Sequence, residues 1–166
     1  MPEETVWRGS ASQWKNFGAF VLQLLVIAAI IVIFIFLARH SSPEISKLSP
    51  SILILLAVPI FIAGKRYLQT KCKIYELTTE RLKITEGVFS KVTDTLELYR
   101  VKDIETQQPF GCRVYGVENV QLNTSDTSSP LIFVKAIPHQ VGLGDKIRNQ
   151  VEIIRQQKGV REVDVE

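Results

Sequence analysis

The chain has little with which to do chemistry. Its 166 residues include two histidines, two cysteines and one methionine. His40 stands in a polar stretch between two apolar runs, and His139 follows Pro138 ahead of a helical segment. A serine–histidine–aspartate arrangement would need His139 with Asp145 and a serine, but there is no Gly-x-Ser-x-Gly elbow. A metal site needs three or four gathered ligands, and His139 and Cys112 stand alone. No phosphate-binding loop or dinucleotide fingerprint occurs, because Gly111 and Gly116 do not precede a strand-to-helix turn. Asp103 and Glu105 share one face of an expected strand, where paired carboxylates are solvated charges or cross-strand partners. No catalytic residue, metal or cofactor is therefore expected, and the protein is not expected to be an enzyme. Cys72 and Cys112 lie outside any CxxC or Cys/His pattern, which suits a reducing compartment. An excess of one charge is lacking too. Residues 65–166 carry 16 Lys and Arg against 14 Asp and Glu, which is not the basic stripe of a nucleic-acid binder.

What the chain does have is two long apolar runs near its start. The first runs from Phe17 to Ala38, broken only by Gln23, and the second from about Leu48 to Gly64. A bilayer core about 30 Å thick needs roughly 20 apolar residues in a helix. The first run meets that length, and Tyr67 and Leu68 extend the second. The short link Arg39 to Lys47 leaves room for a helical hairpin. The expected layout is an N-terminal segment 1–16, a transmembrane hairpin 17–68 (spans about 17–38 and 48–66, outer loop 39–47), a β-domain 69–160 and a tail 161–166. A secretory signal does not fit the first run, which is longer than a usual apolar core and is followed at once by a second. Pro59 is a candidate kink in the second span, and Gln23 a helix–helix hydrogen-bonding contact.

Lys and Arg accumulate on the cytoplasmic side of spans. Arg8, Lys15, Lys65, Arg66, Lys71 and Lys73 flank the hairpin on one side, whereas the loop has Arg39 and Lys47. The expectation is a multi-pass protein of the cytoplasmic (inner) membrane with both termini in the cytoplasm. Trp14 and Tyr67 sit where interfacial aromatics belong on that side.

After the hairpin the pattern shortens to alternating runs. Strands are expected over Cys72 to Leu77, Arg81 to Glu86, Val88 to Tyr99 (Val88, Val92, Leu96 and Leu98 inward), Val101 to Gln107, Glu118 to Thr124 and Leu131 to Ile137. Pro109 to Gly116 reads as an interruption with a short helical turn, and residues 125–130 as a hairpin turn. Leu143, Ile147, Val151 and Ile154 then fall on one helical stripe, with Pro138 before it and Gly159 as its C-terminal cap. About seven antiparallel strands in a partly open barrel, capped by this helix, is the expected fold.

Strands followed by one capping helix is the pattern of the pleckstrin-homology (PH) superfold, and the residues resemble the bacterial membrane-anchored PH domain family. Tyr75-Glu76-Leu77-Thr78-Thr79-Glu80-Arg81-Leu82, with Gly87 before the next strand, resembles that family's Tyr-x-Leu-Thr-x-x-Arg-Leu opening. The segment Leu98 to Ile104 is similar to its Leu-x-x-Ile-x-x-Ile, and Gly111 to Val120 to its Gly-x-Gly-x-Val stretch. Val6-Trp7-Arg8-Gly9-Ser10 ahead of two spans matches its small two-span members. Val101, Val114 and Cys112 depart from the usual residues without threatening the fold. The resemblance implies a membrane-tethered binding or scaffolding module with no shared enzymatic activity.

Lipid-binding PH domains place Lys and Arg around the loop joining their first two strands. Here Lys71, Lys73, Arg81 and Lys83 surround a turn that reads Thr78-Thr79-Glu80, so Glu80 argues against tight inositol-phosphate recognition. Lys65, Arg66, Lys71, Lys73, Arg81 and Lys83 are the candidate membrane-surface contacts, expected to attract acidic headgroups without selectivity. The expected partners are such lipids and either another protein or further copies of the chain, with no nucleic acid. The competing reading is a membrane-bound enzyme or transporter subunit; two spans without core charges are too few to form a path alone.

Overall fold

The computed structural model describes residues 3–40 and 49–158. It divides into two compact units. One joins the residues up to Lys15 with those from Gln69 onward, and the other is Asn16–Leu68.

The first unit is the β-domain. Its strands are β1 (Thr5–Ser10), β2 (Ile74–Thr78), β3 (Arg81–Glu86), β4 (Val92–Glu97), β5 (Val101–Gln107), β6 (Val117–Thr124) and β7 (Leu131–Pro138). They form two antiparallel sheets among the described residues, in the orders β1-β2-β3-β4 and β5-β6-β7. A short helix follows β5, and a long C-terminal helix, Leu143–Lys158, closes the described chain. This is the expected mainly-β architecture with its final helix.

Alternation dictates the core. Tyr75 and Leu77 on β2, Leu82 and Ile84 on β3, and Val120 and Leu122 on β6 all point inward and are buried. The C-terminal helix buries the expected stripe of Leu143, Ile147, Val151 and Ile154 in the same cluster. Near its end Arg155 Nη2 donates to the Val101 carbonyl oxygen at 2.7 Å, fixing the helix to the start of β5.

Two local expectations change. The strand expected over Val88 to Tyr99 is shorter, because residues 87–91 are spent on a turn. Gly87 has φ +121, and a Cβ there would run into the Ser90 carbonyl oxygen. Val92 consequently lies exposed, while Leu96 and Leu98 are inward as expected. The larger change concerns residues 5–10. Expected as a segment ahead of the β-domain, they form β1 and pair along β2, with Trp7 opposite Leu77, Gly9 opposite Tyr75 and Ser10 opposite Ile74. The turn Thr78-Thr79-Glu80 therefore joins the second and third strands. The connection between the first two strands is the whole helical segment, so the argument built on Glu80 addresses a different loop.

Ala136 is the described non-glycine residue with positive φ, at 55°. It sits buried on β7 beside a register shift in the pairing with β6. Asn119 Oδ1 accepts its N–H at 2.9 Å, and its carbonyl accepts the Ser12 N–H at 2.8 Å. Asn119→Ala leaves that buried N–H unpaired and is expected to cost about 1–3 kcal/mol. Ala136→Gly is expected to change stability by under about 1 kcal/mol, since relief of left-handed strain offsets the entropy of a glycine. Chemical unfolding of the full chain separates the two; equal effects would show that Asn119 does not hold this bend.

The second unit contains α1 (Phe17–His40) and most of α2 (Ser49–Lys71). Among the described residues one helical stretch, Gln13–Leu37, is long and apolar enough to cross a membrane. The second apolar run also forms a helix but falls short of the first, since α2 opens on Ser49-Pro50 and carries Lys65, Arg66 and Lys71 in its last turns. It continues through Pro59. Asn16 Nδ2 donates to the Arg66 carbonyl oxygen at 3.4 Å, tying the start of α1 to the late part of α2. Gln23 Oε1 is enclosed with no hydrogen-bond partner among the described residues, so the expected interhelical bond is not seen there. The loop expected over 39–47 begins within α1, and its remaining residues lie outside the described ones. So do Gly159 and the tail 161–166.

Candidate functional site

Strand directions give the β-domain two distinct ends. β1 ends at Ser10 opposite Ile74, where β2 begins, and β3 ends with Glu86 opposite Val92. Ser12 is bonded to Ala136, so the end of β7 is there too. This is the end from which the chain leaves toward α1 and to which it returns from α2, and we call it the exit end. The turn 78–80 and the turn 125–130 lie at the opposite end.

The six candidate basic residues do not form one face. Lys65 and Arg66 belong to the second unit. Lys71 and Lys73 lie at the exit end, whereas Arg81 opens β3 at the opposite end, beyond Leu82 and its partner Leu77. Two of the cations already have carboxylate partners. Lys73 Nζ is ion-paired with Glu86 Oε1 and lies 5.5 Å from the centre of the Tyr75 ring. Burial disfavours its charge, but the Glu86 carboxylate and Tyr75 outweigh that and hold its pKa above the ordinary lysine value. Lys83 Nζ lies 3.2 Å from Glu3 Oε1. The Thr78 hydroxyl, donating to the same oxygen at 2.8 Å, is the leading cause that lowers the Glu3 pKa, with Lys83 next. Instead the exit end brings Lys73 and Lys135 within electrostatic reach of Lys15; burial first, and then these two cations, lower its pKa.

The residues weighed for chemistry are mostly engaged locally. Asp103 Oδ1 accepts the N–H of Ile104 at 2.8 Å, and Glu105 Oε1 accepts from Gln107 Nε2 at 2.9 Å. Asn119 Nδ2 lies 3.8 Å from Cys112 Sγ as its donor. The recorded partner of His139 is Glu118, whose Oε2 lies 2.6 Å from Nδ1, and Asp145 stands in the first turn of the C-terminal helix. Glu118 is 2% exposed and its Oε1 has no hydrogen-bond partner among the described residues. Such a pair orients an imidazole, but a nucleophile or a metal would have to come from elsewhere: no group of three His, Cys, Asp or Glu gathers among the described residues. Glu118 was readable in the sequence, because Val120, Leu122 and Thr124 alternate inward and place it on the same face.

The short helix α3 (Phe110–Val114) also lies at the exit end, between the end of β5 and the start of β6. Tyr115, its C-terminal cap, stacks on Trp14 with ring centroids 4.0 Å apart and planes inclined by 12°. Spacing along the chain offered no sign of this contact, which joins residues a hundred positions apart.

The two sheets leave edges. β4 and β5 each pair with one strand in the described structure and are joined by the turn Leu98–Arg100. Their unpaired N–H and C=O groups are what an added strand needs.

A family model described as a bacterial PH domain matches residues 17–152. Among solved structures, a DUF1696 family protein with a pleckstrin-homology domain from Shewanella loihica is similar at 14% identity and TM-score 0.39, over 48% of this chain and 70% of its own. None of the curated proteins matches the chain.

Proposed function

The chain belongs to the bacterial PH domain family, and on that premise we propose that it is an integral protein of the cytoplasmic membrane whose β-domain docks a protein partner or further copies of itself at the membrane surface, without enzymatic activity. The pairing of β1 with β2 carries this reading. α1 is apolar on all sides, and Leu22, Leu24, Val32 and Phe36 are among its exposed residues. A helix apolar all round is stable inside a protein core or inside a bilayer, and α1 is not in a core. If α1 crosses a membrane, β1 before it and β2 after α2 can share a sheet only if the chain crosses back. α2, at 23 residues, is about 35 Å long, enough for a core of about 30 Å with its terminal lysines reaching to the interface. Cleavage of α1 as a signal would also remove β1 from the sheet.

The edges of β4 and β5 are the places where an extended partner segment can add as a strand. Lys65, Arg66 and Lys71 of α2 supply non-selective attraction to acidic headgroups, whereas Lys73 is engaged by Glu86. An alkaline phosphatase inserted after Ser42 is expected to be active and one fused after Glu166 inactive; the reverse pattern would overturn the orientation. Purification of the full chain in mild detergent is expected to yield a defined heteromeric complex or a homo-oligomer. A monodisperse monomer that turns over a substrate would replace the docking role with an enzymatic one.

A further inference from the structure

We propose that α3 is a second, non-spanning membrane contact, with Phe110 and Val114 seated in the interfacial layer of the bilayer. The proposal rests on the membrane-spanning reading above. Phe110 is 82% exposed and Val114 62% exposed. They stand four apart and so share one face of α3. Neither contributes to the β-domain core, and the exposed Arg113 lies between them.

The stack of Tyr115 on Trp14 fixes where this face lies. Trp14 belongs to the apolar helical stretch Gln13–Leu37 and precedes Phe17, the first residue of α1, by three positions. At no more than about 3.6 Å per residue, it lies within about 11 Å of that residue. α3 is thus held by an aromatic contact to the part of the chain that enters the membrane. Trp and Tyr favour the headgroup level, where an apolar ring and a polar tip are both accommodated. A Phe and a Val presented on a short helix with an arginine between them suit the same layer: the side chains enter the acyl boundary, and the guanidinium meets phosphates. Lys15, next to Trp14, adds a second cation on this side. Water is a poor surrounding for that face, and a bilayer attached through the neighbouring residues is at hand.

The test uses the full chain with Cys72→Ser and Cys112→Ser, reconstituted in nanodiscs with spin-labelled lipids. An environment-sensitive fluorophore is attached in turn at Phe110→Cys, at Leu25→Cys in α1, and at Ser128→Cys in the turn at the opposite end of β6. Loss of emission at position 110 with shallow labels, loss at 25 with deep labels and none at 128 is the expected result. Loss at 25 but not at 110 overturns the proposal while leaving the membrane span in place. Blue-shifted emission at 110 without lipid quenching means that a protein surface covers α3, and also overturns it. No loss at 25 overturns the spanning reading, and the proposal with it.

Discussion

A chain that begins at Gln69 is expected to fail to fold, although it contains six of the seven strands and the C-terminal helix. It lacks β1, whose Trp7 packs on the core and whose neighbour Ala11 is part of it. Five backbone positions of β1 are paired along β2. Thr79 also loses the Glu4 carbonyl that accepts its N–H at 2.9 Å, whereas the Thr78 hydroxyl, on losing Glu3, keeps the Arg81 carbonyl at 2.9 Å. Burial of the large side chain contributes about 2 kcal/mol and each net hydrogen bond about 1 kcal/mol. The loss is of the same order as the roughly 5–15 kcal/mol stability of a small domain. It also uncovers Tyr75 and Leu77, creating an apolar edge that invites aggregation. The companion variant restores the strand. Because Ser10 faces Ile74, replacing residues 13–71 with a short Asn-Gly-containing turn would make β1 and β2 a hairpin. That variant is expected to be soluble, with a cooperative thermal transition and dispersed amide resonances, while the Gln69 truncation shows neither. A well-folded truncation would mean that β1 is a dispensable attachment.

Ile147→Asp is the second substitution with a large expected effect. Ile147 is 0% exposed and sits midway along the stripe that closes the β-domain. A carboxylate there would sit among the apolar side chains of the core cluster. The loss of a buried aliphatic side chain costs about 2–5 kcal/mol, and burial of an unpaired polar group adds to it. The expected outcome is loss of the folded β-domain, read as protease sensitivity of residues 69–158 in the full chain. Arg148→Asp, on the exposed face one residue on, is expected to change stability by less than about 0.5 kcal/mol. Comparable losses at both positions would mean that the helix does not pack by this stripe.

The periodicities that were clear in the sequence are the ones that survived folding. The stripe Leu143, Ile147, Val151 and Ile154 has one helical period and one apolar face, and a single buried interface satisfies it. Strands β3, β5, β6 and β7 likewise form where expected, with ends shifted by a residue at most; β3 keeps its alternation throughout, whereas β5, β6 and β7 lose it at the register shifts. Val88 and Val92 misled, because alternation continues through residues that a glycine turn removes from the strand. The candidate basic face dispersed for a related reason. Closeness in sequence groups Lys71, Lys73, Arg81 and Lys83, but a strand five residues long carries its ends apart, and Glu86 and Glu3 take up Lys73 and Lys83.

Composition and local pattern by themselves determined that this chain has an apolar helix fit for a bilayer, a run of short antiparallel strands, a closing amphipathic helix, and few residues suited to catalysis. Each of these depends on neighbours a few positions apart, where side-chain burial and backbone geometry are set together. Only the tertiary structure decided that residues 5–10 belong to the sheet, that the helices interrupt the domain between its first two strands, and that Trp14 meets Tyr115 at the end where the chain departs. Those facts rest on pairings between residues some seventy to a hundred positions apart. Such pairings form because backbone hydrogen bonds and apolar surface left open by one segment are satisfied by another, and no periodicity within either segment encodes which partner it will find.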